Sequence, residues 1–84
     1  MQKIDLADVS QMLEEIRPDT DFSASGNFAE DGLLDSFDIV SLVSMIDEKY
    51  GVDIDGRDIL PEHFASIETI AALVEKTLSK GRPR

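Results

Sequence analysis

The 84-residue chain contains no cysteine and no tryptophan, and only one histidine, one tyrosine and three prolines. Without cysteine there is no disulfide framework, no thiolate zinc site and no cysteine nucleophile. Its apolar runs are short, so no helix is expected to span a membrane. Met1-Gln2-Lys3-Ile4-Asp5 lacks the apolar stretch of a signal peptide, and a soluble, cytoplasmic domain is the expectation. No glycine-rich phosphate loop and no Gly-x-Ser-x-Gly elbow occurs. Basic residues are scarce too, 8 against 18 acidic, for a formal charge of −10. What remains is 42% hydrophobic and 31% charged, a composition that folds. The length allows one domain, residues 1–84, burying roughly 60–65% of its unfolded surface.

The charge is unevenly placed. Residues 19–75 hold 14 Asp or Glu and only two basic residues, Lys49 and Arg57, a net of −12. Such a field repels nucleic acid and anionic lipid and attracts basic protein surfaces, so neither a nucleic-acid partner nor membrane insertion is expected. Solubility alone is the plainer reading of the same charge. The last five residues, 80–84, form a basic tail, most simply a frayed terminus.

Hydrophobic periodicity predicts helices and no strands. The first helix covers about 4–16, with Leu6, Val9, Leu13 and Ile16 in one stripe and Met12 beside them. Asp5 can cap it with Asp8 as box partner, and Ile4 with Val9 can form a staple. Pro18 disfavours helical geometry at Arg17 and ends the helix. Residues 17–35 read as a long loop tacked to the core by Phe22, Phe28, Leu33 and Leu34. Loops this long in small domains are often functional.

The second helix covers about 36–50, with Ile39, Leu42, Val43, Ile46 and Tyr50 at helical spacing. Asp35 is a good N-cap, Asp38 falls at the third helical position, and Gly51 is a natural stop. Phe37, Val40 and Met45 add apolar surface beyond that stripe, which points to a partner at the helix start. A short helix at about 61–65 and a last helix at about 67–79, capped by Ser66, complete an all-α small four-helix bundle. In the last helix Ile67, Ile70, Ala71, Val74 and Leu78 line one face, and Gly81 and Pro83 end it.

Two candidate chemistries are weaker. The connector opening at Gly51 puts Asp53, Asp55, Gly56 and Glu62 at positions 3, 5, 6 and 12 of a calcium loop. Its first ligand position is a glycine and its usually apolar position is Asp58. His63 has no second histidine, no cysteine and no Glu-x-x-His spacing, and reads as a surface or half-buried side chain on a turn.

Ser36 is the sharper signal. It stands where the long loop meets a helix start, in Asp31-Gly32-Leu33-Leu34-Asp35-Ser36-Phe37-Asp38. Ser36 could itself cap the helix. With Asp35 in that role, the serine hydroxyl is left free at the first helical position. Unpaired amides and the helix dipole favour an attached anion there. A hydroxyl so framed suits attachment of a phosphate-linked group.

Asp35-Ser36-Phe37, with the length, acidity and helix order, resembles the attachment site of acyl and peptidyl carrier proteins, whose motif is Asp-Ser-Leu or a close variant. The resemblance covers roughly residues 3–79. It implies that Ser36 carries 4′-phosphopantetheine as a phosphodiester, added from coenzyme A by a phosphopantetheinyl transferase. It implies an acyl or aminoacyl cargo held as a thioester, in fatty acid, polyketide, nonribosomal peptide or related biosynthesis. It also implies no catalysis by the chain, a monomer, and partners with basic docking surfaces: an activating ligase and synthase or acyltransferase enzymes. The Gly32-Leu33-Leu34-Asp35-Ser36-Phe37 stretch looks more like D-alanyl carriers and carriers served by stand-alone adenylating ligases. Asp38 departs from the glycine frequent in the D-alanyl group. On this resemblance Asp35, Phe37, Asp38, Val40, Ser41, Ser44, Asp47 and Glu48 face partners, and no residue binds metal. An acidic helical adaptor without cargo and a calcium sensor are the alternatives of other classes.

Overall fold

In a computed structural model of the chain, which describes residues 4–79, the first helix α1 spans Leu6–Ile16. It starts two residues later than expected because Asp5 is its cap. The Asp5 carboxylate accepts from the Ala7 amide, while the Asp8 amide turns to the Asp5 carbonyl, so the expected reciprocal box with Asp8 does not form. Val9, Met12 and Leu13 are buried; Leu6, on the first turn, is exposed rather than part of the stripe. Pro18 keeps Arg17 out of helical geometry, at φ −134° and ψ 75°, and the Arg17 amide closes α1 on the Leu13 carbonyl at 2.9 Å.

The long connector holds itself to the core as its apolar residues predict. Phe22, Phe28 and Leu34 are buried and Leu33 is partly so. The Phe22 and Phe28 rings meet edge to face at 4.9 Å. The Phe28 amide donates to the Ala65 carbonyl at 2.7 Å, which ties this connector to the segment before the last helix. One short 3-10 turn, Phe22–Ala24, interrupts it, capped by Asp21.

Helix α2 spans Ser36–Tyr50 and α3 spans Ile67–Ser79. Gly51 ends α2 at φ 64° and ψ 37°, a left-handed conformation that glycine adopts without steric cost. The short third helix expected at 61–65 is instead a four-residue 3-10 turn, Pro61–Phe64. The cap that Ser66 makes for the last helix follows at once, leaving room for one tight turn, closed by the His63 amide on the Leu60 carbonyl at 2.9 Å. A further 3-10 turn spans Gly56–Asp58. The described residues therefore form three α-helices and no strand, an all-α domain without a fourth α-helix. The basic tail at 80–84, with its expected stop at Gly81 and Pro83, lies outside the described residues.

α1 packs against both α2 and α3. The Ile4 amide donates to Glu75 Oε2 at 3.0 Å, placing the start of α1 beside the end of α3. Arg17, at the end of α1, reaches Asp38 near the start of α2. The two pairings make α1 antiparallel to both others, so α2 and α3 begin at one pole. Leu13, Leu42, Ile46, Phe64, Ile70, Leu73 and Val74 lie between them, almost wholly enclosed. Each such side chain contributes roughly 1.5–3 kcal/mol of burial free energy. Leu73 and Thr77 join the core face of α3 beyond the expected set, the Thr77 hydroxyl donating to the Leu73 carbonyl.

Candidate functional site

Ser36 is the first residue of α2, exposed at the pole where α1 ends. Its position follows from a reciprocal cap. Asp35, in extended geometry, accepts the Asp38 amide on Oδ1 at 2.8 Å, and Asp38 Oδ2 accepts the Asp35 amide at 3.3 Å. With the cap made by aspartates, the serine hydroxyl enters no hydrogen bond among the described residues. The next apolar residues turn outward, Phe37 at 77% and Val40 at 62% exposure.

Arg17 adds an element that pattern reading did not single out. Its Nη2 lies 2.7 Å from Asp38 Oδ2 and 3.5 Å from Asp35 Oδ2, and its Nε donates to Asp38 Oδ2 at 2.8 Å. One guanidinium thus grips both carboxylates that flank Ser36. A signal existed in the sequence: between Lys3 and Lys49, Arg17 is the only basic residue. Burial raises the Asp38 carboxyl, but the hydrogen bonds from Arg17 and the Asp35 amide, with the arginine charge, outweigh it. The net effect holds Asp38 below the ordinary carboxylate value. The Arg17 guanidinium is held above its own ordinary value, first by the hydrogen bond to Asp38 and then by its charge.

The structure divides the residues expected to face partners. Asp35, Phe37, Val40, Ser44 and Glu48 are exposed, and Ser41 is half-buried. Asp38 is not on that face. It is buried, because the cap and the arginine both draw its carboxylate inward. Asp47 is half-buried as well, its Oδ1 accepting the Ile54 amide at 3.1 Å and fastening the chain that succeeds α2. Both carboxylates act within the fold.

In the connector weighed as a calcium loop, Asp53 and Glu62 face solvent, while Asp55 and Asp58 have partners of their own. Asp55 accepts the Arg57 amide and pairs with its guanidinium at 2.9 Å, and Asp58 pairs with Lys76 at 3.3 Å. Val52 and Ile54 turn into the core. No group of three or more His, Cys, Asp or Glu converges among the described residues. His63 sits half-buried on the Pro61–Phe64 turn. A groove of about 350 Å³ between α1 and α2, floored by Met12 and Met45 and rimmed by Asp8, Glu15 and Glu48, draws none of its lining from the start of α2. No described helix is long and apolar enough to cross a membrane.

An exposed, unbonded hydroxyl at a capped helix start fits a covalently attached anion. The dipole of α2 and its first-turn amides favour negative charge, and no described residue encloses the site. No curated protein and no solved structure matches the chain with significance. The family described as "phosphopantetheine attachment site" matches residues 6–75, a span that takes in all of α1 and α2, both connectors and most of α3. Over that span the chain belongs to the phosphopantetheine-attachment family, whose carrier domains take a covalent 4′-phosphopantetheine group.

Proposed function

We propose that Ser36 is the attachment residue and that the chain carries an acyl or aminoacyl group on the arm it bears. The observation that carries this reading is the division of labour at the start of α2. Asp35 makes the cap, so the Ser36 hydroxyl, one position further on, is exposed and bonded to no described residue. The arm supplies a terminal thiol on which cargo is held as a thioester. The chain's own part is to present the hydroxyl. In that attachment Ser36 Oγ would form the bond to phosphorus and lose its proton to a base, and adenosine 3′,5′-bisphosphate would leave as the pyrophosphate P–O bond of coenzyme A breaks.

Carrier domains of this family are generally non-catalytic and are handled by a phosphopantetheinyl transferase and by synthase or ligase enzymes. For this chain, the partner surface we propose is Asp35, Phe37, Val40, Ser41, Ser44 and Glu48. Exposed Phe37 and Val40 give an apolar centre, and the acidic surround favours basic docking surfaces. The Gly32-to-Phe37 stretch supports an aminoacyl cargo loaded by a stand-alone adenylating ligase, while Asp38, in place of the glycine frequent in D-alanyl carriers, supports an acyl one.

Intact mass tests the reading. Incubated with coenzyme A and a broad-specificity transferase, the wild type gains one phosphopantetheine and Ser36→Ala gains none. Modification of the variant would place the attachment elsewhere. A wild type that resists several transferases leaves the chain as an acidic helical adaptor.

A further inference from the structure

Three charged side chains meet beside Ser36, and only one is positive. Asp35 and Asp38 stand on either side of it in sequence, and each accepts an amide of the other. Unneutralised, the pair would place two negative charges next to any phosphate on the serine. Among the described residues Arg17 is the base that pairs with them, at 2.7 Å from Asp38 and 3.5 Å from Asp35. It arrives from the other end of the long connector, because Pro18 stops α1 at Arg17 and keeps that residue out of helical geometry. The guanidinium fork suits this place. Nε and Nη2 both engage Asp38 Oδ2, and Nη2 also lies near Asp35.

We infer that Arg17 is a positioning residue for the attachment serine: it orients the two flanking carboxylates and offsets their charge so that an anionic phosphate is tolerated on Ser36. This rests on the reading of Ser36 as the attachment residue. Arg17 acts through Asp35 and Asp38. Its effect is electrostatic and therefore falls with added salt.

The test compares unmodified and phosphopantetheine-bearing forms of the whole chain. Melting temperatures are measured for wild type, Arg17→Gln, Arg17→Lys and the double variant Arg17→Gln/Asp35→Asn. At low ionic strength, modification lowers the melting temperature of Arg17→Gln by about 4 °C more than it lowers that of wild type, a shift readable in a domain of this size. That excess shrinks in about 0.5 M salt, where the Debye length is only about 4–5 Å. Arg17→Lys keeps the charge and shows little excess. The double variant restores the local charge and keeps a good cap, since asparagine caps as well as aspartate. Its shift returns to the wild-type value. Asp35→Asn alone, which keeps Arg17 and removes one negative charge, is measured as well and loses less on modification than wild type; an unchanged loss there overturns the inference even if Arg17→Gln does not fold.

A purely structural arginine would lower both forms of each variant equally. Equal shifts on modification in wild type, Arg17→Gln and the double variant would overturn the inference while leaving Ser36 as the attachment residue. A wild type that gains no mass overturns both.

Discussion

Two helices of this bundle begin at the same pole, each with a serine at or next to its start, and the two serines do opposite things. At α3, Ser66 is the cap. Its hydroxyl accepts the Thr69 amide at 3.1 Å, and Thr69 Oγ1 accepts the Ser66 amide at 3.0 Å. At α2 the same reciprocal arrangement is made by Asp35 and Asp38, and the serine is moved one residue on, into solvent. The residues beyond each cap differ in the same sense. After Ser66 come Glu68, which suits a helix start, and the buried Ile70 and Ala71. After Ser36 come Phe37 and Val40, both open to solvent. A serine whose hydroxyl is already bonded stabilises its helix; a serine whose neighbour has taken that role keeps a hydroxyl available for chemistry.

The sharpest way to break this comparison is to exchange the consequences. Ser36→Ala abolishes the mass gain with transferase and coenzyme A, yet costs no more than about 0.5 kcal/mol of stability, as at an ordinary surface position. Unfolding of Ser36→Ala, seen by circular dichroism, would show that Ser36 serves the fold. Ser66→Ala does the reverse. It retains full modification and loses about 1 kcal/mol with its cap, or about 4–8 °C in melting temperature. If Ser66→Ala melts with wild type, the contrast between the two serines has no energetic basis.

The third prediction concerns the cap that frees Ser36. Asp38 is held below its ordinary value, so the folded state favours its ionised form. That stability is complete above the ordinary carboxylate range and is lost as pH falls through the lowered folded value. Urea midpoints of wild type and Asp38→Asn should therefore differ by a constant amount from pH 7 to about 5, and converge below about pH 4. A gap unchanged down to about pH 2, below the ordinary carboxylate range, would mean that Asp38 acts without its charge.

Smaller effects concern the surface. Glu48→Lys should slow arm transfer mainly through association, with the difference fading as salt rises. Transferase kinetics indifferent to this reversal across a salt series would count against an acidic docking face. Asp38→Lys is no clean probe of docking, since its buried carboxylate serves the cap and the Arg17 pair. Residues 19–75 hold many more carboxylates than bases, even with the Arg17, Arg57 and Lys76 pairs in place. Screening their repulsion should raise the melting temperature by a few degrees between low and moderate salt. A flat profile would refute that, and a one-to-one calcium endpoint would revive the connector as an ion site.

Much of the architecture is legible in the residues alone, because it depends on neighbours in the chain. The helical stripes, the Pro18 and Gly51 stops, the Asp35–Asp38 cap and the exposed position of Ser36 are consequences of spacings of about four residues or fewer. Such local rules act within one turn of helix, whatever the rest of the molecule does. The anchoring role of Phe22, Phe28 and Leu34 is legible too, since large apolar residues in a polar loop have few other uses. The limits of local reading show where two local patterns compete. The segment at 61–65 carries a helical signal, but the cap of the next helix at Ser66 leaves it room only for a 3-10 turn. Asp38 and Asp47 lie on the outer face by periodicity, but a hydrogen bond to a distant donor decides where a carboxylate turns.

Only the tertiary structure could supply those donors. Arg17 and Asp38 are 21 residues apart, and Asp47 meets the Ile54 amide only after Gly51 reverses the chain. Local sequence determined a capped helix that begins with a free serine. Packing of α1 against α2 decided which charge stands beside that serine, because a guanidinium finds two carboxylates only after the long connector has folded and brought both helix ends to one pole.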